Sequence, residues 1–99
     1  MDLDVIRKNI DELDTRIITL LALRSSLVSA AGKLKNDEQG VRDPKRVVQV
    51  IEQVRAKAVA SKLDPAIAEK IYRTIIDCFI TAELREFNND SYHNIADQP

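Results

Sequence analysis

Arg7, Arg24, Lys35 and Arg46 stand on or beside positions where a helical repeat calls for apolar side chains, and cations so placed describe a site for a small anion. From Leu3 to Leu34 the apolar residues recur at steps of three and four (Leu3, Ile6, Ile10, Leu13, Ile17, Leu20, Leu27, Ala31, Leu34), the period of one helix face. Arg24 lies a helical step beyond Leu20, Lys35 a step beyond Ala31, and Arg7 borders the stripe between Ile6 and Ile10. A cation withdrawn from water costs on the order of several kcal/mol unless an anion or hydrogen-bond acceptors meet it. The plainer reading is that these long side chains reach out to water or pair with Asp11, Glu12 or Asp14.

The chain has 99 residues, enough for one domain that buries a modest share of its surface, which predicts a partner chain. With 15 basic and 16 acidic residues it lacks the basic excess of a nucleic-acid or polyanion binder, so the anion it takes is small. Cys78, the single cysteine, has no second thiol for a disulfide or a metal, and its setting among Ile75, Ile76, Phe79 and Ile80 predicts a buried, inert thiol. The one histidine, His93, lies in a polar stretch, so no nucleophile and base pair up, and neither metal nor cofactor is expected. The opening residues lack the pattern of a signal peptide, and no apolar run approaches the roughly 20 residues of a membrane span. The expected location is the cytoplasm.

The elements that must position the cations are all helical. A first helix is predicted from Asp4 to about Lys35, roughly 48 Å at about 1.5 Å per residue, against a radius of gyration near 13 Å expected for a globule of this size. Its far end must therefore pack on another chain. Gly32 is read as a small residue at a close helix crossing, since Lys33, Leu34 and Lys35 keep the pattern. Asn36 to Val41 reads as a loop. Asp43-Pro44 supplies an N-cap and a first-turn proline for a second helix that carries Val47, Val48, Val50, Ile51, Val54 and Ala58 inward and ends near Lys62. Asp64-Pro65 repeats the signal for a third helix, with Ile67, Ile71, Ile75, Phe79 and Ala82 inward, to about Phe87. Residues 1–87 thus form the domain. Residues 88–99 lose the period and read as a mobile polar tail, with Tyr92 and Ile95 as its docking candidates.

Taken together, Ile6-Arg7, Asp11-Glu12-Leu13-Asp14, Leu20-Leu21-Ala22-Leu23-Arg24, Gly32-Lys33-Leu34-Lys35 and Val41-Arg42-Asp43-Pro44-Lys45-Arg46 resemble the all-helical class of chorismate mutases, over about Leu3 to Phe87. The resemblance implies an all-α fold in which two chains intertwine three helices each, a long first and two shorter, into a homodimer with two active sites. It implies that Arg24, Arg46 and, from the neighbouring chain, Arg7 hold the two carboxylates of the substrate, as a permanently charged guanidinium with parallel donors suits. Lys35 matches the lysine at the ether oxygen of the breaking bond, and Asp43 an aspartate beside the ring hydroxyl that also caps the second helix. The reaction so implied is the concerted conversion of chorismate to prephenate, for phenylalanine and tyrosine synthesis, in which orientation and preorganised charge supply the catalysis.

Glu83 stands where many relatives have a glutamine that donates to the same ether oxygen. An ionised carboxylate only accepts, so Glu83 fits that role as a neutral donor; otherwise it is a surface carboxylate paired with Lys or Arg. Val47 stands where a glutamate is typical, and Phe79 where a small hydroxyl residue is common, and both changes make the pocket less polar. An apolar residue after the arginine is also seen in isochorismate-pyruvate lyases and aminodeoxychorismate mutases of the same fold; Asp43 favours a mutase. A reading of another class is a non-catalytic helical dimer whose inner cations pair with its own acids. Arg16, Lys33 and Arg73 are assigned no ligand, and Arg42 is placed at the pocket entrance.

Overall fold

The computed structural model describes the backbone of residues 2–96 and the side chains of residues 2–89. All its regular elements are helices: α1 (Leu3–Gly32), a one-turn α2 (Glu38–Arg42), α3 (Pro44–Ala60) and α4 (Pro65–Ala96). The three expected helices are present, with differences in their bounds and in the segment between the first two. The stretch expected as a loop contains α2, nucleated because the Asp37 carboxylate accepts the Gly40 N–H at 2.7 Å and satisfies an otherwise unpaired first-turn donor. The last helix, expected to end near Phe87, continues through the predicted tail to Ala96, so α4 has 32 residues and α1 has 30. Residues 97–99 and the side chains of Tyr92, His93 and Ile95 lie outside the described residues.

Each start signal works as its chemistry requires. Asp2 accepts the Val5 N–H at 2.9 Å to open α1, and Asp64 accepts the Ala66 N–H at 2.9 Å at the head of α4. Asp43 ends α2 and opens α3 at once: its backbone is left-handed, φ 39° and ψ 67°, a region an aspartate tolerates better than most residues, and its side chain accepts the Arg46 N–H at 3.3 Å.

The small core lies between α3 and α4, where Val54, Ala58 and Ala68 are buried against Val50 and Tyr72. Glu69 of α4 ties the same pair of helices from outside, with Arg73 and Arg55 of α3 each 2.8 Å from its carboxylate. Those hydrogen bonds, Arg73's the stronger influence, hold the Glu69 carboxyl below the usual carboxylate range.

α1 is different. Every residue from Leu3 to Leu20 is exposed, and none of α1 is fully buried; Leu3 is 57%, Ile17 53% and Leu27 72% accessible. The stripe expected to be interior is therefore uncovered in the single chain. A matching difference appears on α4, which turns Ala68, Ile76 and Glu83 inward and leaves Ile67, Ile71, Ala82 and Cys78 exposed. Cys78 is thus not the buried thiol its neighbours suggested. Val48 of α3 is likewise exposed. One chain covers only one side of each helix. The molecule measures 67 × 28 × 15 Å with a radius of gyration of 17.7 Å, well above the about 13 Å of a compact domain this long.

Candidate active site

Three stretches of sequence converge on one cavity of about 420 Å3. From α1 it takes Arg24, Leu27, Val28 and Ala31, and from α4 it takes Ile76, Phe79, Ile80 and Glu83, each set repeating the three-four spacing of a single helix face. The third wall is the corner between α2 and α3, with Val41, Arg42, Asp43, Arg46, Val47 and Val50, and Lys35 enters from the segment just after α1. Volume and largely apolar lining suit a small organic ligand. The ionisable groups are four cations, Arg24, Lys35, Arg42 and Arg46, and two acids, Asp43 and Glu83, a formal excess of two positive charges. That charge balance complements a dianion.

Arg24 is half-buried, and its Nη1 is buried with no hydrogen-bond partner. A buried cationic donor without an acceptor is costly, and the side chain that carries it lines the cavity. Its guanidinium lies over the Phe79 ring, with Cζ 4.9 Å from the ring centroid. Among the described residues, neither Arg7, Arg24 nor Arg46 makes an ion pair, so the reading in which they pair with Asp11, Glu12 or Asp14 does not hold. Arg46 is exposed at the cavity's edge, where its Nη1 donates to Gln49 Oε1 at 2.6 Å.

Lys35 is the exception, for its Nζ lies 3.3 Å from Glu83 Oε2. The Glu83 side chain is 5% accessible and that of Lys35 25%, so Glu83 is no surface carboxylate, although it does pair with a lysine. What lets them meet is Gly32. A β-carbon there would come within 2.9 Å of Glu83 Cγ and 3.1 Å of its Cδ, so any larger residue would push the Glu83 side chain from its place beneath the end of α1. Gly32 thus marks a close helix crossing, as its place in the pattern suggested. It also ends the helix, three residues earlier than expected.

Of the eight residues singled out from the sequence, Arg24, Lys35, Asp43, Arg46, Val47, Phe79 and Glu83 line this cavity and Arg7 does not. Arg7 lies 17 residues before Arg24 on the same helix, about 25 Å away along an ideal axis, on the exposed part of α1. Arg42, placed by sequence at the entrance, lines the cavity and is exposed. Sequence reasoning did not assign the apolar walls Val28, Val41, Ile76 and Ile80 to the site; the signal for those on α1 and α4 was their three-four spacing from Arg24 and Glu83.

Residues 6–84 match the family described as chorismate mutase type II. The chain is also 34% identical over 74 residues to a chorismate mutase of Methanocaldococcus jannaschii, an alignment covering 73% of this chain and 74% of that protein. The family match spans every residue that lines the cavity, on α1, on α4 and at the corner between α2 and α3; the chain belongs to the type II chorismate mutase family.

Proposed function

We propose that two copies of this chain intertwine into a dimer that converts chorismate to prephenate at two equivalent sites, each completed by the partner's Arg7. Chorismate mutase activity, an isomerase reaction, follows from family membership; the assembly and the part each residue plays are our reading. The observation that carries it is the cavity's excess of cations, with Arg24 in its wall making no ion pair within the chain. Arg24, Arg46 and the partner's Arg7 hold the two carboxylates and so fold the substrate into the chair-like shape in which the carbons to be joined lie close. As the C–O bond breaks and the C–C bond forms in one concerted step, negative charge grows on the ether oxygen, where Lys35 Nζ donates and Glu83, protonated, donates too. Asp43 accepts from the ring hydroxyl. No covalent intermediate is needed.

The dimer is supported by area. A compact monomer of 11.2 kDa exposes about 5,700 Å2 by the usual scaling, whereas this chain exposes 8049 Å2. The excess of roughly 2,300 Å2 is in the range that obligate partners bury, and α1, with every residue from Leu3 to Leu20 exposed and Arg7 among them, contributes to it. The catalytic unit is assigned to residues 1–87. No described helix is long and apolar enough to cross a membrane, and we assign the dimer to the cytoplasm and to aromatic amino acid synthesis.

The test is to incubate the purified protein with chorismate, isochorismate and aminodeoxychorismate side by side. Loss of the chorismate diene absorbance with formation of prephenate is the expected result. Because Val47 and Phe79 make two cavity positions apolar, the neighbouring reactions are the second reading; release of salicylate and pyruvate from isochorismate, with chorismate intact, would move the assignment to a lyase. A non-catalytic dimer whose cations serve only its own acids fits Lys35 but not Arg24, which has no acid to serve.

A further inference from the structure

We propose that Phe79 is a positioning residue for Arg24, holding the guanidinium against its ring face so that the N–H donors stay free for a substrate carboxylate. The proposal rests on the cavity being the substrate site. Arg24 belongs to α1 and Phe79 to α4, so the contact spans the two helices that wall the cavity, with Cζ 4.9 Å from the ring centroid, inside the roughly 6 Å over which a ring attracts a cation.

With ring and guanidinium face to face, the attraction acts perpendicular to the guanidinium plane, where the group has no hydrogens, whereas all five of its N–H donors lie in the plane. A ring therefore restrains the cation without consuming a donor, which a hydroxyl or a carboxylate at the same place would do. The state of Arg24 agrees: Nη1 is buried and unbonded. The cavity's two acids are engaged elsewhere, Glu83 by Lys35 at 3.3 Å and Asp43 by the Arg46 N–H at 3.3 Å. Phe79 and Glu83 stand one turn apart on the same face of α4. One helix face thus presents a ring to one cation and a carboxyl to the other, and only the ring leaves its cation unbonded. Arginine is rich in rotamers, so a guanidinium held in place before binding loses less freedom when the anion arrives.

The test compares Phe79→Leu and Phe79→Met, which keep apolar bulk and remove the ring, with Phe79→Tyr, which keeps it. The ring-less variants are expected to raise KM for chorismate about tenfold, the upper range of a desolvated cation–ring contact, with kcat changed much less, because Arg24 grips the carboxylate before and during the reaction alike. Phe79→Tyr is expected to restore KM. In parallel, the Arg24 Nε–H proton should resonate upfield in the wild-type protein, shielded by the ring, and return to an ordinary position in Phe79→Leu. An unshifted Arg24 signal in the wild type, or an unchanged KM in both folded ring-less variants, overturns the proposal. If one of them fails to fold by circular dichroism, the other and Phe79→Tyr decide. A protein that leaves chorismate intact defeats the functional reading, and the proposal with it as far as substrate binding goes, while the resonance still reports whether ring and cation touch.

Discussion

Lys35 and Glu83 show why a single substitution in this cavity reads out two things at once. On the proposed mechanism, removing Lys35 takes away a donor to the ether oxygen, and it also strands the Glu83 carboxyl at 5% accessibility with no cation beside it. Lys35→Ala is therefore expected to lose turnover and stability together. Lys35→Ala combined with Glu83→Gln separates them: a neutral amide needs no cation, so thermal unfolding should return toward the wild-type temperature while turnover stays down by about 10²-fold, the loss typical of one preorganised donor. Recovered turnover in that double variant would remove Lys35 from the chemistry. Glu83→Gln alone tests the other donor. The amide is a permanent donor of nearly the same shape, so Glu83→Gln should keep turnover while Glu83→Ala loses it; equal turnover in the two variants would reject the role.

Helix faces, more than single residues, decide where these groups meet. Gly32→Ala exchanges a gain in helix propensity of about 1 kcal/mol for a β-carbon 2.9 Å from Glu83 Cγ, so the two effects on stability oppose one another. Its effect on rate should be one-sided, a loss of about ten- to a hundredfold in kcat from a misplaced carboxyl with the fold intact; kinetics on a variant of unchanged circular dichroism would check it. The α3–α4 contact carries its own pH dependence. Because the Glu69 carboxyl is held below its ordinary value when folded, its contribution is complete above the unfolded value near about 4.3 and disappears as pH falls through the lower folded value. Glu69→Gln should therefore lower stability slightly near neutrality and leave it unaltered at strongly acid pH, as urea titrations at several pH values would reveal. The effect should be small, since the pair is largely solvated.

At the scale of the whole molecule, the proposed dimer rests on an extended chain with an uncovered α1, and in it the partner copy would bring Arg7. Chains carrying Arg7→Ala and chains carrying Arg24→Ala should each be nearly inactive alone. Unfolded together and refolded as a mixture, they should regain about a quarter of wild-type activity, because half of randomly paired two-fold dimers are mixed and each mixed dimer has one site with both arginines intact. No recovery in a mixture that forms mixed dimers would mean that each site uses its own chain's Arg7.

Helix type and the three long elements were legible from local rules, and Arg24, Lys35 and Arg46 stood out as cations among apolar positions, whereas Asp43 and Glu83 were assigned to the site by resemblance to the family. Aspartate caps, first-turn prolines and the three-four period act over a few residues, and they placed α1, α3 and the start of α4 within a few positions. The one-turn α2 escaped notice because a single Asp37–Gly40 bond separates a turn from a loop, and the end of α4 because the polar residues after Phe87 carry no period although their backbone stays helical. What the local pattern could not choose was which apolar stripe of α4 a single chain buries. Ile67, Ile71 and Ile75 have the same spacing as Ala68, Tyr72 and Ile76, and only the approach of α3 selects between them. Nor could it show that Lys35 rests on Glu83 while Arg24 rests on a ring and keeps a donor free. Those pairings join residues from different helices, and their distances exist only once the helices are packed.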